Sequence, residues 1–408
     1  MNFERKRLRP LFPPPADETG RIWENKGIKG VHHLTGNGEI RIQRRIYWKE
    51  GQGTDDRIDR WLGIADRTVS VEARELCSRV ATSVQGFETG SKMLDHLAQI
   101  KVSKERLRQI AEREGQSVLQ AERLGVIGPE WTVADCAVSA GGPTRIITGV
   151  DGVMVPMVTQ EEKKERRKNR SRKRKGSSRR KRMFAGYPES YKEFKIGAFY
   201  DACKDHQLVF GTAGNASALG RQLRRQACGL NFGQADEKQS VSDGAVWISR
   251  QLQIQLPILD AMTLDFYHLA EHVGEAGAIC FGAASEASRS WIHQTLTLAK
   301  TQGASGLLRQ IDQTRRTLRA SGKRKALTAL ENYVSERAAM VDYPTFIAKG
   351  FDIGSGPVEA FCKTLTMRLK GSGMKWDWPN AEAMMALAAL DQSHLWDRYW
   401  KIQLGLAA

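Results

Sequence analysis

The order of strand and helix patterns between residues 145 and 267 most limits what this 408-residue chain can fold into. Short apolar runs predict three strands, then an amphipathic helix, a fourth strand, a second helix and a fifth strand. The predicted strands are 145–155, which is expected to end at the acidic turn at Asp151, then 192–200, 207–211, 241–243 and 258–267, and the predicted helices are 217–230 and 247–252. In the first helix, Leu219, Leu223 and Cys228 are expected to face inward.

This order is that of a ribonuclease H-like α/β sheet, in which the first strand and the later short strand lie side by side. Asp151 and Asp243 end those two predicted strands, and Glu359 lies in the first turn of a later helix. Three convergent carboxylates form an oxygen-rich site that suits Mg²⁺ or Mn²⁺. Two such ions about 4 Å apart can activate a nucleophile and stabilise a leaving oxygen in phosphoryl transfer. The sequence therefore predicts catalytic metal ligands at Asp151, Asp243 and Glu359.

Each acid also has a structural interpretation. An Asp-Gly pair after a strand is ordinary turn chemistry, and Glu359 can stabilise a helix dipole, with Pro357 at the first helical position. Asp260 and Asp265 compete with Asp243 for the second catalytic position. We prefer Asp243 because it ends a short strand and precedes Gly-Ala, and Asp265 is the second choice. The joint placement of the acids in this strand order favours catalysis.

The charge of the chain is strongly basic and unevenly distributed. Lys and Arg number 63 against 46 Asp and Glu, a net charge of +17. Residues 161–182 alone hold fourteen Lys and Arg and three Glu. A polyanion partner is expected, and nucleic acid is the commonest one. The alternative is a merely solvated basic loop. The basic run 163–182 is expected to be disordered, and the predicted DNA contacts within it are Arg172, Lys173, Arg174 and Lys175.

The pattern from about residue 69 to residue 125 is helical, with short turns. It predicts a helix over 71–84, a second helix capped by Ser91, a turn at 100–102 and a third helix capped by Ser103. This arrangement is typical of a helix-turn-helix unit, although many helical bundles share it. The third helix would present four cations to DNA: Lys104, Arg106, Arg108 and Arg113.

Further cations surround Glu359, with two tryptophans among them. The predicted DNA contacts here are Lys363, Arg368, Lys370, Lys375 and Trp376, with Trp378 nearby. The indole rings are suited to stacking on an unpaired base. Two alternatives stay open: Lys363 can pair with Glu359 at i, i+4, and both tryptophans can be core residues.

The C-terminal motifs resemble a known family. The stretches Gly354-Ser-Gly-Pro-Val-Glu359-Ala-Phe-Cys-Lys363 and Arg368-Leu-Lys-Gly-Ser-Gly-Met-Lys-Trp376 are similar to the signature of bacterial insertion-sequence transposases of the ISKra group. Two further segments match the same pattern, residues 149–155 and residues 242–247 with 264–268 downstream. The resemblance runs from about residue 35 to the C-terminus.

The resemblance implies a DDE transposase related to the Mutator-like enzymes. Its triad would be Asp151, Asp243 and Glu359, holding two Mg²⁺ or Mn²⁺ ions. Asp265 and His268 match a pair that supports the active site or the DNA in such relatives, although His268 is also readily explained as a structural residue. The implied activity is end cleavage and strand transfer of an insertion sequence. Its partners would be double-stranded DNA, namely the terminal inverted repeats and the target, and at least one further copy of the chain.

The expected fold is a ribonuclease H-like core with a mixed five-stranded sheet and flanking helices, interrupted by an all-α insertion. A β segment and a helical DNA-binding domain precede that core. The expected segments are an arm with a small β region (1–60, flexible through about residue 30), the helix-turn-helix-like domain (61–125), the first part of the core (126–269), the insertion (270–345) and the last part of the core (346–408). Two rival functions remain: a structure-selective ribonuclease H-like nuclease, and a non-catalytic DNA-binding descendant of a transposase.

The location of the protein is expected to be the bacterial cytoplasm, at the nucleoid. No apolar run approaches the ~20 residues of a membrane helix, and the basic N-terminus lacks the apolar core of a signal peptide. The six cysteines are scattered without Cys-x-x-Cys spacing, which is typical of reduced thiols and argues against a cysteine zinc site.

Overall fold

A computed structural model describes residues 13–55, 68–159, 161–165, 167–168, 191–371 and 374–406. The chain divides into two compact units. The first comprises Met1–Glu114 and Arg398–Ala408, and the second comprises Gly115–Asp397. In the described part of the chain, no helix combines the length and apolar character that crossing a membrane requires.

The first unit contains an antiparallel β-hairpin. Strand β1 (Glu24–Thr35) pairs with β2 (Gly38–Lys49), and a short β3 (Gly53–Thr54) extends the sheet. Strands are therefore present in the segment for which a small β region was expected. The expected flexible arm through residue 30 is wrong from Glu24 onward, because hydrogen bonds to β2 order a segment whose own sequence has no strand pattern.

Three helices follow the hairpin: α1 (Val71–Ser83), α2 (Phe87–Ala98) and α3 (Lys104–Arg123). Ser103 caps α3 as predicted, since its Oγ accepts the amide of Arg106 at 3.2 Å. Ser91 does not cap α2, which begins four residues earlier. Its hydroxyl instead donates to the carbonyl of Val102 at 2.5 Å and holds the turn before α3.

A buried ion pair ties the first unit together. Arg74 of α1 meets Glu114 of α3 at 2.9 Å, and both side chains are buried. The hydroxyl of Tyr399, in helix α12 (Trp396–Gln403), donates to the same carboxylate at 2.6 Å. Since these bonds occupy the Glu114 carboxylate and one nitrogen of the Arg74 guanidinium, the pair is tolerated away from water.

The second unit is built on a mixed five-stranded sheet. Its strands are β4 (Arg145–Pro156), β5 (Tyr191–Asp201), β6 (Gln207–Thr212), β7 (Glu237–Ser242) and β8 (Ala261–Leu264). The spatial order is β6-β5-β4-β7-β8; β4 and β7 pair in parallel, as do β7 and β8, whereas β5 is antiparallel to its neighbours. This arrangement confirms the predicted strand order and is compatible with a ribonuclease H-like transposase fold.

Four helices flank this sheet: α4 (Ala216–Gly229), α5 (Val246–Gln255), α10 (Gly356–Met367) and α11 (Trp378–Gln392). In α4, Leu219 and Leu223 are buried as predicted, whereas Cys228 is exposed. The inward position belongs to Ala227, because it lies four residues after Leu223 and therefore on the same helix face.

The chain between β8 and α10 is helical, as predicted for 270–340. It forms α6 (Phe266–Phe281), α7 (Glu286–Thr317, interrupted at Gly303), α8 (Ser321–Glu336) and the short α9 (Tyr343–Ala348). These helices and β8 share one apolar core. Its buried residues include Leu264, Trp291, Leu307, Ile311, Leu327 and Leu330. The predicted strand at 258–267 is shorter than expected, because Asp265 caps α6 and ends β8.

Candidate active site

Two of the three predicted acids lie level with one another on neighbouring strands. Gly149 of β4 is in register with Val241 of β7, and Asp151 and Asp243 each follow two residues later. Strand β4 does not end at Asp151 as predicted, because pairing with β5 carries it on to Pro156. Burial raises the pKa of Asp151, and the negative charge of Asp243 raises it further. The two carboxyl groups therefore interact electrostatically.

Helix α10 brings the third acid to the same region. A Cβ atom at Gly149 would lie 2.0 Å from Cγ2 of Val358, so only glycine allows this close approach of α10 to β4. The buried thiol of Cys362, on α10, lies near Asp151. Burial raises the pKa of Cys362, and the charges of Asp151 and Glu359 raise it further. Cys362 therefore lies within electrostatic reach of both Asp151 and Glu359.

Asp265 fastens the start of α10 to the sheet. One carboxylate oxygen accepts the amide of Tyr267 at 2.7 Å, and the other accepts both the hydroxyl and the amide of Ser355. The carbonyl of Ser355 in turn accepts the amide of Glu359 at 3.0 Å. Asp265 is buried and its oxygens are occupied by these bonds, which favours a positioning role over the role of second catalytic acid.

The other competitor for the second position, Asp260, lies at the opposite end of the sheet. It precedes β8, accepts a hydrogen bond from the backbone amide of Lys238 at 2.8 Å and lies 3.2 Å from the ammonium group of the same lysine. Asp243 follows the carboxyl end of β7. Asp243 and Asp265 both lie level with Asp151, but Asp243 follows β7, the strand paired with β4, whereas Asp265 follows β8, one strand further away.

Tyr333, in α8, and Arg337, just after that helix, both hydrogen-bond to the backbone that follows β7. The hydroxyl of Tyr333 donates to the carbonyl of Asp243 at 3.4 Å, and Nε of Arg337 donates to the carbonyl of Gly244 at 3.0 Å. Gly244 has a φ of +73°, a left-handed conformation suited to glycine. The sequence pattern contained no signal for these contacts, which join residues about 90 positions apart.

His268 belongs to an aromatic group beside this loop. Its ring centroid lies 5.1 Å from that of His272, which lies 4.0 Å from the ring of Tyr333. His268 is also 3.4 Å from the carboxylate of Glu271 on the same helix. Its ring centroid also lies 6.4 Å from that of Tyr333, so its link to Asp243 runs through Tyr333.

The donor set of the site suits hard divalent cations. Asp151 and Asp243 lie on paired strands, α10 brings Glu359 to the same region, and burial together with the Asp243 charge disfavours the ionised form of Asp151. A bound cation would reverse that effect. In the described residues, one group of three ligand side chains has all its ligand atoms within 4.8 Å of one another, namely Asp201, Cys203 and Asp205 at the turn after β5. The three acids of the site are more widely spread, so one ion bound by all three requires their side chains to rotate.

Comparison with known proteins gives a likeness in structure that is distant. No protein-family model matches the chain, and no curated protein matches it. Among solved structures the chain is similar to the Drosophila P element transposase strand transfer complex, with 11% sequence identity, over 82% of this chain and 80% of that chain. The TM-score is 0.29, which is too low to carry an argument. The functional proposal therefore rests on the strand order and the site.

The cations predicted on α3 are partly neutralised. The four are Lys104, Arg106, Arg108 and Arg113. Lys104 lies 3.1 Å from Glu88, and Arg108 lies 2.8 Å from Glu112. The guanidinium of Arg106 donates to the hydroxyl of Thr68 at 2.6 Å. The helix therefore presents less positive charge than its Lys and Arg content implies.

The cations near Glu359 divide into exposed and buried groups. Lys363 and Lys370 are exposed. Lys375 pairs with the carboxylate of Glu162 at 3.2 Å. Arg368 is buried, 5.2 Å from the ring centroid of Trp376. Lys363 and Lys370 are therefore the more accessible of these cations.

The expectation that Trp376 stacks on a base is wrong for this arrangement. Its ring is only 7% exposed, because it packs inside the protein beside Arg368. Trp378 is 47% exposed, with the ammonium of Lys192 2.6 Å from its ring centroid. The predicted contacts at 172–175 lie outside the described residues.

Proposed function

We propose that this protein is a metal-dependent DNA transposase of the DDE type, acting on an insertion sequence similar to those of the ISKra group. One observation carries the proposal. Asp151 and Asp243 follow residues in register on the paired strands β4 and β7, and α10, which carries Glu359, approaches β4 closely at Gly149, in a sheet with ribonuclease H-like order. The basic composition of the chain supports DNA as the substrate.

The residues of the site have different roles in phosphoryl transfer. Asp151 and Asp243, on paired strands, provide the fixed side of the site, and Glu359 approaches from α10. Divalent ions held by these carboxylates would supply an activated nucleophile and stabilise the departing oxygen. Lys363, exposed one turn after Glu359, is placed to offset phosphate charge. Asp265, Tyr333 and Arg337 fix the backbone from which the acids project.

The reaction needs no covalent enzyme intermediate. Water attacks a phosphodiester, and the bond to the 3′ oxygen breaks, leaving a free 3′-hydroxyl. That hydroxyl then attacks a target phosphodiester at the same site and displaces a target 3′ oxygen. The helices α6 to α9 would form the insertion that interrupts the core, and cutting two ends implies at least two copies of the chain on DNA.

Isosteric substitutions test the assignment. We expect Asp151→Asn and Glu359→Gln to reduce Mg²⁺- or Mn²⁺-dependent cleavage more than about 100-fold, since even residues behind metal ligands change metal affinity or activity 10- to 100-fold. The substrate is a plasmid carrying this gene with its flanking DNA. Cleavage is measured on gels, and duplex binding is measured in EDTA, where both variants should match the unaltered protein.

Two variants provide matched controls. Asp260→Asn changes an acid at the opposite end of the sheet, and Glu286→Gln changes an exposed acid in the first turn of α7. Both should cleave normally. Cleavage at the normal rate by Asp151→Asn or Glu359→Gln would end the assignment. Incubating cut ends with a target plasmid then distinguishes a transposase, which makes joined product, from a nuclease or a non-catalytic DNA-binding protein.

A further inference from the structure

The β1–β2 hairpin has one outward face with an unusual set of side chains. Three register pairs form it: His32 with Arg41, Gly30 with Gln43, and Ile28 with Arg45. We name these six residues the ribbon face. Side chains on adjacent strand positions point to opposite sides, so Val31, Ile42 and His33 belong to the other face, where His33 is buried. The hairpin is therefore two-sided.

The ribbon face presents a regular row of exposed donors. Arg41, Gln43 and Arg45 are all exposed and lie at alternate positions of β2, about 6.8 Å apart. Gly30 lies opposite Gln43, at the centre of the row, and adds no side chain to this face. A Cβ atom at Gly30 would lie 2.6 Å from Nε of Arg41, so the Arg41 side chain crosses the ribbon directly over the Gly30 backbone.

The charge of this face is not cancelled by neighbours. Within the described part of the chain, neither Arg41 nor Arg45 forms an ion pair, in contrast to the cations of α3. Glu39, at the end of the row, lies 3.4 Å from the ring of His32. Residues 24–49 contain six Lys and Arg against two Glu. An unpaired basic surface of this kind is complementary to a polyanion.

We propose that the ribbon face binds duplex DNA by entering the major groove, an inference that rests on the proposed function for the choice of partner. A two-stranded β-ribbon fits the major groove of B-form DNA, which is about 12 Å wide. In that groove, arginine pairs with guanine and glutamine pairs with adenine. The major groove of duplex RNA is too deep and narrow for side chains to read, so DNA is favoured over RNA.

The test measures binding of the full-length protein to a 30-base-pair mixed-sequence DNA duplex in EDTA, by fluorescence anisotropy over a series of KCl concentrations. We expect Arg41→Ala/Arg45→Ala to weaken binding at least about tenfold and to make the plot of log K against log salt about one to two units shallower. The matched control, Lys26→Ala/Lys29→Ala, removes the same charge from elsewhere on the same hairpin and should stay within about twofold of the unaltered protein.

A second measurement separates groove reading from general attraction. In selection from a random DNA duplex library, Gln43→Ala should relax the preference at one or two positions of the enriched site. Equal losses in the two double variants, an equal loss on a matching RNA duplex, or an unchanged selected sequence for Gln43→Ala would overturn the proposal. Because binding is measured without divalent metal, a protein that binds DNA in this way but never cleaves it contradicts the proposed function alone.

Discussion

At the residue scale, Glu122 near the end of α3 couples folding to pH. Burial raises its pKa from 4.5 to about 7, although the charges of Arg225 and Arg123 oppose that shift. Between these two values the folded state holds a proton that the unfolded state has released. Stability contributed by protonated Glu122 is therefore fully present below about pH 4.5 and is lost as the pH rises to about 7.

We expect Glu122→Gln to remove this loss, because a neutral amide carries no ionisation penalty. The variant should be more stable than the unaltered protein by about 1 to 3 kcal/mol at pH 8 and similar to it at pH 4.5. Urea denaturation at both pH values measures the difference. Glu286→Gln, at an exposed glutamate, should show no such gain at pH 8. A Glu122→Gln variant equally stabilised at both pH values would show that ionisation is not the cause.

The individual residues of the site were only partly predictable from the sequence. Asp151, Asp243 and Glu359 stand out because each lies beside a glycine motif: Asp151 and Asp243 each precede a glycine, and Glu359 follows Gly354-Ser-Gly-Pro357. Tyr333 and Arg337 have no such signal, since their role depends on α8 meeting the loop after β7. The burial of Trp376 could not be predicted from the sequence either, because an aromatic residue beside cations is typical of both a core and a base-stacking surface.

At the element scale, the position of α10 depends on the absence of a side chain at Gly149. A Cβ atom there would lie 2.0 Å from Cγ2 of Val358, which cannot be accommodated without moving α10. We expect Gly149→Ala to cost about 1 to 3 kcal/mol of unfolding free energy and to reduce cleavage by displacing Glu359.

A double-mutant cycle isolates this contact. Adding Val358→Ala to Gly149→Ala should restore part of both stability and cleavage, because the smaller side chain makes room for the new methyl group. Gly128→Ala is the control, since a Cβ atom at Gly128 would have no neighbour within 4 Å. Additive losses in the double variant would show that the two residues do not clash. Denaturation in urea and the plasmid cleavage assay provide the two measurements.

The elements themselves were more predictable where local pattern decides them. The five strands and two helices of the sheet follow from apolar periodicity, which the local sequence carries. Strand β1 was not predicted because it is ordered by pairing with β2. The continuation of β4 beyond Asp151 to Pro156 was not predicted because it depends on pairing with β5. The start of α2 was misplaced since a serine suited to capping, Ser91, serves as a donor inside the helix instead.

At the scale of the whole molecule, the net charge of +17 determines how binding to DNA responds to salt. Each phosphate neutralised by a Lys or Arg lowers the slope of log K against log salt by about 0.9. Residues 169–182 contain nine Lys and Arg. Replacing them with a Gly-Ser linker of equal length should make the slope several units shallower and weaken binding most at low salt, while the fold of both units persists. Anisotropy with the 30-base-pair duplex measures the slope, and circular dichroism checks the fold.

A linker of the same length carrying nine Lys should restore the original slope, because the effect depends on charge and not on sequence. An unchanged slope after the replacement would mean that this segment does not contact DNA, and the ribbon face and the cations near Glu359 would then have to account for all of the salt dependence.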